Sequence, residues 1–230
     1  MCGIFGLIVK PNSQITPKRV KSILFEIALL SESRGKDSSG IAIKSNKRQS
    51  IDIVKGDIPI STLLKGKSLK SIVNNAFEEC KRGEGFTALG HARLVTNGSQ
   101  LQEVNNQPVI KDDIVLIHNG IIVNVDELWE KNNDLKREYL IDTEVLPAMI
   151  RKGLNSGENL LMASDKAYQS VKGTFSVAIV FADRDEFMLS TNNGSLYYIS
   201  DNSTFLVFAS EEFYLKRLLN NNSLKKISSE

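Results

Sequence analysis

Across 230 residues there are only two cysteines, two histidines and one tryptophan. Cys2 and Cys80 cannot build a disulfide framework, which fits a reducing, cytoplasmic setting. With His91 and His118 as the only histidines, and no CxxC or HExxH spacing, neither a His-rich metal site nor a zinc centre is expected. Long apolar runs are also missing. The run "IFGLIV" behind Cys2 and Gly3 falls far short of the roughly 18 residues of a membrane span, and it lacks the basic flank of a signal peptide. Nor does one charge dominate. Lys and Arg total 29 against 27 Asp and Glu, and the formal net charge is +2. The basic residues are dispersed, so neither nucleic acid nor a membrane surface is an expected partner.

What is present is an ordinary globular composition with 41% hydrophobic residues, sufficient for one large domain over 1–230. The apolar run 3–9 reads as a buried strand. Thr16-Pro17 reads as a cap and first helical residue, followed by Val20, Ile23, Leu24, Ile27 and Leu30 at helical spacing, with an end near Ser33. Further strands are expected at "IAIK", "IDIVKG", 87–95, on both sides of Asn119-Gly120 in 114–124, at 174–183 and at 204–210. Residues 186–200 read as a hairpin turning at Asn193-Gly194. Helices are expected within 60–81 and at 126–131, 145–153 and 158–171, with a last one capped by Ser210. The strands come in adjacent pairs and the helices in separate blocks, not in βαβα alternation. That pattern predicts an α+β domain of mainly antiparallel sheets covered by helices.

The chemistry starts at position 2. A strand cysteine is ordinarily a small buried hydrophobe. If Met1 is removed, however, Cys2 carries both a thiol and a free α-amine, and a neutral α-amine titrating near ~8 can take the thiol proton. Nucleophile and base would then reside on one residue. An oxyanion needs preset donors, and Asn119 with the Gly120 N–H could supply them. Asn-Gly is also a common turn; here its apolar flanks predict a buried one. Arg93 in the apolar strand calls for a carboxylate partner. Asp142 is either a helix cap or an anionic ligand. Arg34 and Asp37 are candidates to pair and order the loop "RGKDSSG". His91 and His118 read as hydrogen-bonded core residues, and Cys80 as structural.

Five pieces, "MCGIFG", "RGKDSSGIA", "GHARLVTNG", "HNGIIVN" and "DTEV", occur in this order over about residues 2–180. Together they resemble the glutaminase domain of the class II glutamine amidotransferases, which are N-terminal nucleophile hydrolases. "HNGII" and "DTEV" resemble the glutamine–fructose-6-phosphate amidotransferase branch more than the asparagine synthetases. The resemblance implies a four-layer αββα sandwich of two antiparallel sheets. It implies that Cys2 attacks the side-chain amide of L-glutamine and that Asn119 and Gly120 hold the oxyanion. Arg93 and Thr96 would bind the α-carboxylate, Asp142 the α-ammonium, and Arg34 would order the region around the terminal amine. No cofactor or metal is implied. Leu94 and Asn97 depart from the branch pattern of tryptophan and histidine, in a stretch that couples glutamine binding to synthesis. The implied partner is a synthase or sugar-isomerase-like acceptor of ammonia on a separate chain. The alternatives are a non-catalytic glutamine-sensing or scaffolding subunit, and a free amidase acting on another substrate.

Overall fold

The computed structural model describes residues 2–45, 50–94, 105–201 and 203–220. Ten strands and seven helices occur among them. The strands are β1 (Gly3–Val9), β2 (Ser38–Ser45), β3 (Ser50–Gly56), β4 (Phe86–Arg93), β5 (Val109–Lys111), β6 (Ile114–Ile122), β7 (Gly173–Phe181), β8 (Phe187–Thr191), β9 (Tyr197–Ser200) and β10 (Phe205–Ala209). The helices are α1 (Pro17–Ser31), α2 (Ile60–Leu63), α3 (Lys67–Lys81), α4 (Val125–Lys131), α5 (Val145–Asn155), α6 (Leu160–Ser170) and α7 (Glu212–Asn220).

The strands form two antiparallel sheets, β3-β2-β4-β1-β10-β9 and β5-β6-β7-β8. Because side chains alternate across a strand, each sheet has an inner and an outer face. Ile4 and Ile8 of β1, Leu89 of β4, and Val115 and Ile117 of β6 fill the layer between the sheets. Phe5, Leu7 and Val9 of β1 point the other way and pack under α1, α2, α3 and α7. Ile114 and Leu116 of β6 pack under α4, α5 and α6. The result is the expected αββα sandwich. Among the described residues, no helix is long and apolar enough to cross a membrane.

Four local expectations change. Asn119-Gly120 is not a turn, because β6 runs straight through it and stays paired with β7 from Ile114↔Phe181 to Ile122↔Gly173. Residues 186–200 are not a hairpin. β8 pairs with β7 and β9 with β10, so the Asn193-Gly194 bend carries the chain from one sheet to the other. Ser210 does not cap the last helix; its Oγ accepts from Ile4 N at 3.2 Å and ties β10 to the first strand. Pro17 does open α1, but Thr16 makes no side-chain cap bond.

Candidate active site

Strand parity assembles the site. Cys2 shares the inward parity of Ile4 and Ile8, Arg93 that of Leu89, and Asn119 that of Val115 and Ile117. All three therefore face the space between the sheets. The β1–β4 register ends at Gly3↔Ala92, so the next position along sets Cys2 beside Arg93. Cys2 is at the mouth of the central strand pair, with β6 opposite.

Asn119 is buried, and its Oδ1 accepts from Cys2 N at 2.9 Å, joining the two sheets at this point. With the carbonyl end of the carboxamide engaged, its NH2 end is the donor available to a reacting group. The Cys2 thiol lies 3.5 Å from the Leu94 carbonyl, to which it donates. Burial pushes the thiol above its usual value, and the cations Arg93 and Arg34 oppose that shift. At Gly120 the backbone has φ +157°, and a Cβ there would stand 2.0 Å from the Thr174 carbonyl oxygen. Only glycine keeps β6 and β7 this close at the position after Asn119.

Arg93 is nearly fully buried; one terminal nitrogen donates to Asn105 O at 2.9 Å and Asn106 Oδ1 at 3.1 Å. Burial lowers its pKa, countered by the charges of Cys2, Asp142 and Asp37. Asp142 opens a short 3-10 turn, Asp142–Glu144, laid over β6. Its Oδ2 accepts from Ile122 N at 2.8 Å, so it anchors the end of β6 and does not cap α5. Its Oδ1 accepts from Thr143 Oγ1 at 3.4 Å, and that hydroxyl lies 3.0 Å from His118 Nδ1. Burial lowers the His118 pKa against the pull of Asp142. Arg34 is bridged to Glu211 at 2.5 Å, not to Asp37, while its Nε and second terminal nitrogen are buried without partners. Thr96 and Asn97 lie outside the described residues.

The structure thus brings Cys2, Arg93, Asn119 and Gly120 to one mouth, with Asp142 at the end of the same strand β6. It adds residues that sequence reasoning missed. Asn105, Asn106 and Gln107 are all buried and connect Arg93 to β6. Leu140 N donates to Asn105 Oδ1 at 3.1 Å. Buried Glu144 gathers the loop before Asp142, accepting from Glu138 N and Tyr139 N at 2.9 and 2.8 Å and pairing with Lys111 at 3.2 Å. The signal was the amide run "NNQP", which polarity alone reads as loop.

A nucleophile held beside an amide donor, with a cation and an anion nearby, suits a reactant that is itself an amino acid. A family model described as a glutamine amidotransferase domain matches residues 91–217. The glutamine–fructose-6-phosphate aminotransferase (isomerizing) of Thermococcus kodakarensis is 30% identical, over 94% of this chain and 35% of its own length. The enzyme of the same name from Sulfurisphaera tokodaii is also 30% identical, over 95% of this chain and 35% of its own length. The chain therefore spans about a third of the length of these relatives. Among solved structures, the glutamine phosphoribosylpyrophosphate amidotransferase of B. subtilis superposes with a TM-score of 0.66 at 22% identity. It covers 94% of this chain and 43% of its own. That likeness is one of fold, and it bears out the sandwich of two antiparallel sheets flanked by helices.

Proposed function

The chain belongs to the glutamine amidotransferase domain family, of class II, and from that premise we propose that its Cys2 centre hydrolyses the side-chain amide of L-glutamine. The observation that carries the reading is the 2.9 Å bond from Cys2 N to Asn119 Oδ1. It holds base, nucleophile and oxyanion donor in one cluster. Once Met1 is removed, the neutral α-amine takes the thiol proton and sulfur attacks the amide carbon. The negative oxygen that forms is met by Asn119 Nδ2 and the Gly120 N–H. Collapse breaks the C–N bond, and the α-ammonium returns its proton to the departing ammonia. Water, deprotonated by the same amine, then cleaves the thioester to glutamate and free thiol. Arg93, with Thr96, takes the substrate α-carboxylate and Asp142 its α-ammonium. Arg34 orders the chain around the terminal amine.

The ammonia goes to an acceptor. The relatives' remaining two-thirds supports an acceptor enzyme of sugar-phosphate type, here proposed on a separate chain. Exposed Leu94, Ile121, Val123 and Leu140 each lie within two residues of Arg93, Gly120, Ile122 or Asp142, a rim suited to such a partner. Ammonia release from glutamine, but not from simple amides lacking the α-amino acid group, tests the substrate. Loss of turnover in Cys2→Ala is expected. Equal rates with simple amides would favour the free-amidase alternative.

A further inference from the structure

Residues 105–108 cross from the Arg93 side of the site to β6, and one side chain in this strap does what a strand would otherwise do. β5 pairs with β6 from Lys111↔Ile114 to Val109↔Leu116. Carrying that register two residues further sets Gln107 opposite His118. The backbone ladder has stopped there, but the Gln107 carboxamide continues it. Its Oε1 accepts from His118 N at 2.6 Å and its Nε2 donates to His118 O at 3.1 Å. From the other sheet, His91 Nε2 donates to the same His118 carbonyl at 3.2 Å. Both lone pairs of that oxygen are thus taken, one by each sheet. His118 O belongs to the peptide that leads directly into Asn119.

We propose that Gln107 is a positioning residue for the oxyanion donors, its carboxamide clamping the His118–Asn119 peptide so that Asn119 Nδ2 and the Gly120 N–H meet the developing charge. The inference rests on the glutaminase reading of the site. Several observations make the clamp a rigid one. Gln107 is buried. The strap lies against Gly40 of β2, where a Cβ would stand 2.3 Å from Gln107 O. Lys55 Nζ holds the strap from outside through Asn106 O at 2.8 Å and Pro108 O at 3.2 Å. The same strap gives Arg93 two of its hydrogen-bond acceptors, so carboxylate grip and oxyanion donors share one support. Lys55 and Arg93 bond the strap, His91 bonds the His118 carbonyl, and Asp142 reaches the His118 ring through Thr143. Burial keeps His91 neutral, its pKa pushed down to about 3, so it serves as a fixed donor through Nε2.

The test is steady-state kinetics on the full chain. In Gln107→Leu, which fills the space without polar atoms, kcat should fall about 10–100-fold, the size of effect expected when reacting groups are displaced by about 1 Å. KM for glutamine should move less than about threefold, because the groups that bind ground-state glutamine remain. Gln107→Glu supplies a readout that a merely structural role would not move. The protonated acid reproduces both bonds, whereas the carboxylate sets a bare oxygen against the His118 carbonyl. The ratio of its kcat to that of the parent should therefore rise at least fivefold as pH falls from about 8 to about 5, toward the carboxyl pKa, which is about 4.3 in water and is raised by burial. An unchanged kcat in Gln107→Leu, a rise confined to KM, or a flat ratio for Gln107→Glu would overturn the inference. Should Gln107→Leu fail to fold, the Gln107→Glu profile decides alone. A parent chain that turns over no glutamine removes the functional reading and the inference together, while an active parent with indifferent Gln107 variants removes only the inference.

Discussion

The Asn119→Asp substitution exchanges an NH2 group for an oxygen with little change in volume. Asn119 Oδ1 already accepts from Cys2 N at 2.9 Å, so that bond survives and becomes charge-assisted. Two consequences follow from the geometry. A carboxylate at hydrogen-bond distance favours the ammonium form of the terminal amine and should raise its pKa by about 1–3 units. The working base is the neutral amine, so the acid limb of kcat moves to higher pH by the same amount. The oxyanion also loses the Asn119 donors and faces a negative charge. Removing one such donor costs about 10²–10³ in kcat. Near neutral pH the two losses compound, while KM stays close to that of the parent because Arg93 and Asp142 are untouched. Glutamate release measured between about pH 6 and 10 separates them. Asn119→Ala loses the donor without adding charge, so its kcat falls but its acid limb does not climb. An Asn119→Asp chain with kcat within about threefold of the parent, or with an acid limb no higher than that of Asn119→Ala, would refute this assignment.

Arg93→Lys keeps the charge but loses the planar fork and its hold on Asn105 and Asn106, so KM for glutamine should rise about 10–100-fold with a smaller change in kcat; an unchanged KM would exclude Arg93 from substrate binding. Glu144→Ala leaves Lys111 and the backbone N–H groups of Glu138 and Tyr139 without their buried acceptor, and should destabilise the fold by about 3–5 kcal/mol in urea melts. A loss below about 1 kcal/mol would show that Glu138 alone satisfies Lys111. Acid should weaken the fold through His91. Its folded pKa, about 3, lies below the ordinary 6.5, so the native state needs the neutral ring. That contribution is complete above pH 6.5 and is lost as pH falls toward 3, where the unfolded chain binds a proton the native chain refuses. Urea midpoints should drop across this window in the parent and less so in His91→Gln; identical slopes would count against it.

The layered fold was legible from the adjacent pairing of strands, the separate blocks of helices and the five family-like pieces, not from alternation, because β1 is buried at every position and β6 over most of its length, so both read as continuous apolar runs. Motif residues far apart in sequence were readable as one site through their chemistry and their resemblance to one family, and strand parity is what carries Cys2, Arg93 and Asn119 to a common space. Local patterns failed where a tertiary partner replaced the usual local one. Asn119-Gly120 has turn composition, but nine paired positions with β7 hold it extended. Asn193-Gly194 does bend the chain, yet the flanking strands find partners in different sheets. Ser210 and Asp142 resemble caps, but each gives its oxygen to a strand N–H instead, on Ile4 and Ile122. The strap Asn105–Gln107 was invisible for a related reason. Its amides bond to backbone and side chains from other elements, and no periodicity records such contacts.

The central claim is that Cys2 is a free N-terminal nucleophile in a glutamine-shaped site. Intact mass of the purified chain, taken before and after exposure to 6-diazo-5-oxonorleucine, tests it most directly. A free N-terminal nucleophile gives a starting mass without Met1 and a single adduct on Cys2 that excess glutamine suppresses. A chain lacking Met1 that takes no adduct, or one labelled on Cys80 in place of Cys2, would contradict it.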